Sequence, residues 1–124
     1  MNPIFTSEAP VPGGHYSQAM VHNGLIFVAG QLPIRANGEK CLGSIEEQTE
    51  LILSNLRTIL QAAGSDLDKV LKTTVFIADI ELWGRGNAVY ARLFGEHRPA
   101  RSVVPVKELH YGFLIELEAV AACE

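Results

Sequence analysis

The 124-residue chain sets 10 Lys and Arg against 14 Asp and Glu, for a formal net charge of -4, and 48% of its residues are hydrophobic. A chain of this size and balance supports one globular core and is read as a single domain over residues 1–124, not as a disordered or fibrous chain. The cations are scattered with no basic run, which argues against nucleic acid or an anionic membrane surface as a partner.

Residues 9–34 carry no Asp, Glu, Lys or Arg. The prolines, glycines, His15, Gln18 and Asn23 inside that stretch rule out a transmembrane helix. The first cation is Arg35, so the charged start of a secretory signal is missing and the expected location is cytoplasmic. Cys41 and Cys123 form no CxxC pair and are expected to be reduced thiols.

A short strand is expected near Ile4. Tyr16–His22 and Leu25–Gly30 then form a hairpin about Asn23-Gly24, two residues that tolerate positive φ. From Ser44 the apolar period becomes helical: Ile45, Ile52, Leu56, Ile59, Leu60 and Ala63 share one face. Ser44 and Glu47 make a capping box, and Gly64 stops the helix. Val70–Asp79, rich in β-branched residues, reads as a central strand. A second helix follows with Leu82, Gly86, Val89, Tyr90, Leu93 and Phe94 on its apolar face, weakened at its start by Gly84 and Gly86. Two strands close the chain, Arg101–Val106 and Phe113–Ala122, joined by a polar loop.

The order β-β-β-α-β-α-β-β predicts an α+β fold with a mixed sheet. Two helices cover one face, yet the strands alternate apolar residues on both: Leu25, Phe27 and Ala29 against Ile26 and Val28. A second copy of the chain is the simplest cover for the other face, so a homo-oligomer is expected.

Alternation in the last strand puts Glu116 and Glu118 on the face of Leu114 and Val120. Carboxylates on an apolar strand need a cation or several donors, and Arg101, on the preceding strand, is a candidate in sequence. The same residues suit two uses: an ion pair at a subunit interface, or a guanidinium fork that grips a ligand carboxylate. His15, His22, His97 and His110 have no zinc-ligand spacing with the cysteines. His15 and His110 read as exposed loop residues. Trp83 and Tyr90, at helical spacing, read as packing residues. Gly13-Gly14 and Gly84-Arg85-Gly86 lack the pattern of a phosphate loop.

The run Pro99-Ala100-Arg101-Ser102-Val103-Val104-Pro105-Val106-Lys107-Glu108-Leu109, with Ile115-Glu116-Leu117 after it, closely resembles the signature of the Rid (YjgF-like) family. Gly14-His15-Tyr16-Ser17-Gln18, Ala29-Gly30-Gln31-Leu32-Pro33, Thr73–Asp79 and Asn87-Ala88-Val89-Tyr90 resemble further family segments in the same order. The resemblance implies a chorismate-mutase-like α+β fold, with a mixed β-sheet carrying two helices on one face, assembled as a homotrimer with sites between subunits. It also implies an enamine/imine deaminase that hydrolyses reactive 2-imino or enamino acids to 2-keto acids and ammonia, with no metal or organic cofactor.

On that resemblance Arg101 would hold the substrate carboxylate and Glu116 would position the attacking water. Tyr16 would donate its phenol from the neighbouring subunit, Gly30 would admit close backbone approach, and Asn87 would line the cleft. Val103 stands where many members carry Cys, so contact there would come through backbone groups. Ala29 replaces a common Ser, and the loop Leu109–Phe113 departs from the usual turn. These changes would favour a larger imine or enamine, such as an unsaturated amino-dicarboxylate. The alternatives are a non-catalytic small-carboxylate-binding or chaperone-like trimer, and less favourably a ribonuclease, against which the acidic charge argues.

Overall fold

Six strands hydrogen-bond into one mixed sheet in the computed structural model, which describes residues 1–123. At one edge β1 (Asn2–Ile4) pairs antiparallel with β2 (Ala19–His22), which turns into β3 (Leu25–Gln31). Asn23 and Gly24 take φ of 51° and 78° in that turn, the mirror-image geometry that matches the twist of paired strands. The strand starts at Ala19 and not at Tyr16, because Gln18 ties its side chain to an earlier loop. Thr6 N–H donates to Gln18 Oε1 (2.7 Å), while Nε2 donates to the carbonyls of Thr6 (3.0 Å) and Pro10 (2.9 Å).

α1 (Ile45–Ala62) opens with the expected capping box: Glu47 N–H donates to Ser44 Oγ (3.1 Å), and Ser44 N–H donates to Glu47 Oε1 (3.2 Å). Gly64, at φ 82°, follows its end. β4 (Val70–Ile77) stops two residues short of Asp79, whose side chain accepts from Glu81 N–H (3.0 Å) and begins a 3-10 turn into α2 (Trp83–Phe94). Gly86 lets α2 approach α1; a Cβ there would lie 3.3 Å from Ile45 Cγ1.

β5 (Ala100–Pro105) runs parallel to β4 and forms the far edge, and β6 (Ile115–Ala122) runs antiparallel between β3 and β4. The sheet order is β1-β2-β3-β6-β4-β5. The last two strands are therefore separated by β4, which corrects the sequence-based placing of Arg101 next to the Glu116 strand. A crossover from β4 through α2 to a parallel strand obliges β5 to land on the outer side of β4 once β6 occupies the inner one.

The helices cover one face. Ile26 and Val28, Val75 and Ile77, and Ile115 and Leu117 point into a core with Ile52, Leu56, Ile59 and Leu60 of α1. Each large aliphatic side chain buried this way contributes roughly 1.5–3 kcal/mol. The buried side chain of Gln48 braces α1 to the start of β6: its Nε2 donates to the Gly43 carbonyl (3.0 Å), and Leu114 N–H donates to its Oε1 (2.9 Å). The other face carries Phe27, Leu71, Phe76, Val104 and Val120, with Phe27 47% and Leu71 48% exposed. No helix among the described residues is long and apolar enough to cross a membrane.

Candidate active site

Of the six residues singled out from the sequence, five separate into two groups in one protomer and the sixth, Val103, joins neither. Thr73 of β4 points into the helix-covered side, where its hydroxyl shares a hydrogen bond with Tyr90 Oη (2.7 Å). Arg101 lies in register with Thr73 on the neighbouring parallel strand, so it faces the same side, toward α2. Its Nη1 donates to Asn87 Oδ1 (2.8 Å). Its guanidinium carbon stands 4.8 Å from the Tyr90 ring centroid and 5.2 Å from that of Trp83.

Trp83 and Tyr90 are thus more than packing residues: with Thr73 beneath, they make an aromatic platform for a cation. Burial pushes the Tyr90 phenol up, against the Thr73 hydrogen bond and the Arg101 charge, so the platform stays neutral. Among the described residues Arg101 makes no ion pair, and its remaining N–H donors are free for an incoming anion. Asn87, Tyr90 and Arg101 line a hollow of about 500 Å³ together with Phe94, His97 and Arg98. Val103 lines neither this hollow nor the one described next; it packs against the core.

Glu116 is on the opposite face. It lies in register with Phe76 of β4, one residue out of step with the core-facing Val75 and Ile77. With Tyr16, Gly30, His110 and Tyr111 it lines a hollow of about 640 Å³. Gly30 is required there by space: a Cβ would fall against Glu116 Oε2 and 3.2 Å from its Cδ. Gly13 N–H donates to Tyr16 Oη (3.1 Å), which fixes the phenol oxygen and leaves its proton to donate.

Glu116, too, has no ion-pair partner among the described residues. Burial raises its carboxyl above the ordinary 4.5; nearby His110 pulls it back and Glu118 adds to the rise. His110 is therefore at the site, which its place in a loop of unfamiliar sequence did not reveal. No three His, Cys, Asp or Glu side chains among the described residues gather as a metal site, and both cysteines are free.

One protomer thus presents an unpaired guanidinium fork on one side of its sheet and an unpaired, half-buried carboxyl on the other. Neither half can reach the other within a chain.

The profile of the family described as Endoribonuclease L-PSP matches residues 6–123. The RutC family protein PH0854 of Pyrococcus horikoshii is 46% identical over 119 residues, covering 95% of this chain and 94% of that protein. The crystal structure of YyfA from Yersinia pestis, a Rid family protein, superposes with a TM-score of 0.94 at 40% identity, covering 98% of each chain. That of Escherichia coli TdcF with bound serine gives a TM-score of 0.94 at 33% identity, again covering 98% of each.

Proposed function

The chain belongs to the Endoribonuclease L-PSP family, the YjgF/RutC group that includes the Rid proteins, and from that premise we propose that it is a hydrolase of 2-imino and enamino acids. The reaction adds water across C=N and releases ammonia, leaving the 2-keto acid. The observation that carries the reading is Arg101: a guanidinium oriented by Asn87, backed by two aromatic rings and without an acidic partner among the described residues. Such a group fits the carboxylate that every 2-imino acid carries. Serine bound to TdcF has the same carboxylate beside a nitrogen-bearing carbon.

With the carboxylate held by Arg101, the imine carbon faces the Glu116 hollow of a second copy. Glu116 accepts a hydrogen bond from the attacking water, takes one proton and passes it to the imine nitrogen; it then takes the proton of the new hydroxyl and delivers it to the same nitrogen, which leaves as ammonia as C=O forms. Tyr16 donates to the water or to the nitrogen, and Gly30 keeps the space beside Glu116 open. Holding water and imine in one geometry is the main source of acceleration. The assembly that closes the site is a homotrimer, with the apolar face of Phe27, Phe76 and Val120 turned inward and three sites between neighbours. RNA cleavage has less behind it: the net charge is -4, and no Lys or Arg lines the hollow over Glu116.

The test generates 2-iminopropionate with an amino-acid oxidase and traps surviving imine with semicarbazide. Wild-type protein is expected to lower the trapped fraction in proportion to its concentration; no change at any concentration refutes the reading. Because the working form of Glu116 is the carboxylate and burial raises its pKa, kcat/KM is expected to fall on the acid side with a midpoint above 4.5. Glu116→Gln removes that limb together with most of the activity.

A further inference from the structure

We propose that the hollow beside Glu116 selects 2-imino acids with a large aromatic side chain, and that Tyr111 is the residue that sets this preference. The inference rests on the deaminase reading above and names its substrate class.

Three observations carry it. The first is size: before a neighbouring copy closes over it, the hollow of one protomer measures about 640 Å³, more than a methyl or ethyl side chain fills. The second is chemistry. Beside the amides of Gln18, Gln31 and Asn37, the wall carries Val11, Leu32, Ile34 and Ala36 with the Tyr111 ring, apolar and aromatic surface for a side chain.

The third is the backbone of Tyr111 itself. It sits at φ 58° and ψ 16°, a left-handed conformation unfavourable for a bulky side chain. Strain of this kind persists where surrounding contacts hold it. Here Lys40 Nζ lies 4.6 Å from the Tyr111 ring centroid, and the Phe113 ring packs edge-on at 5.8 Å. The ring is nonetheless 63% exposed, so core burial does not explain its position. It lines the hollow, where an aromatic side chain of the substrate would stack on it.

The test compares kcat/KM for imines generated by an amino-acid oxidase from phenylalanine and from alanine, read by semicarbazide trapping. Wild-type protein is expected to favour the phenylalanine imine by about tenfold or more, the discrimination that added apolar contacts give. Tyr111→Gly is expected to cut that ratio about tenfold, and Tyr111→Phe to keep it. Glycine accepts a φ of 58° with less strain than any side chain, so misfolding does not account for the loss. A wild-type ratio of one or less, or an unchanged ratio in Tyr111→Gly, overturns the proposal while leaving the deaminase reading in place. Should neither imine be consumed, the deaminase reading falls, and calorimetry with phenylpyruvate and pyruvate decides the pocket. Tighter phenylpyruvate binding that weakens in Tyr111→Gly upholds it; equal binding overturns it.

Discussion

Arg101→Ala is expected to lower kcat/KM for 2-iminopropionate by about 100- to 1,000-fold, because the substrate loses its only bidentate anchor and with it the alignment of the imine carbon and the water. Arg101→Lys restores little. Lysine keeps the charge, but it cannot donate to Asn87 and grip a carboxylate in one plane, nor spread its charge over a planar fork beside the Trp83 and Tyr90 rings. Stability changes little in either variant: Arg101 is exposed and has no ion pair among the described residues, so what the folded state loses is its surface contacts with Asn87, Trp83 and Tyr90, each worth about 1 kcal/mol or less. A near-wild-type melting temperature beside a collapsed rate is therefore the signature. Full activity in Arg101→Ala would refute the carboxylate clamp.

Gly30→Ala should cost about 100-fold in kcat/KM without unfolding the protein. The added methyl meets the far end of the flexible Glu116 side chain, which can swing aside, so the fold absorbs the change at about 1 kcal/mol or less. The carboxylate then no longer faces the water it is to activate. Since the damage runs through Glu116, it is not additive: placed in Glu116→Gln protein, Gly30→Ala should have little further effect on rate. Additive losses would show that Gly30 acts through something other than space for that carboxylate.

Local geometry was legible in the sequence wherever one residue type had one use. Asn23-Gly24 specified a turn with two positive φ values; Ser44 with Glu47 specified the start of α1; alternation along β6 put Glu116 and Glu118 on the face away from the core. What could not be read was the lateral order of strands. Periodicity tells which way a side chain points but not which strand lies beside it, so Arg101 looked like a neighbour of Glu116 when β4 stands between them. That arrangement replaces a simple intrachain ion pair with two unpaired groups on opposite faces. The same blindness hid the roles of Trp83 and Tyr90, whose spacing reads as core whether the partner above them is a leucine or a guanidinium. Gln18 and Gln48 were invisible for another reason: a buried amide that satisfies distant backbone groups has no local pattern. The Leu109–Phe113 loop was recognisable only as unusual, and its consequence lay in the φ of Tyr111.

The division of the site between copies of the chain is tested most directly by mixing. Arg101→Ala and Glu116→Gln proteins, each nearly inactive, are unfolded together in equal amounts, refolded and assayed for imine hydrolysis. If each site takes Arg101 from one copy and Glu116 from its neighbour, random assembly gives about one site in four both groups intact, and roughly a quarter of wild-type activity returns. If the two groups worked within one chain, no mixture could restore a complete site, and activity would stay at the level of the separate variants.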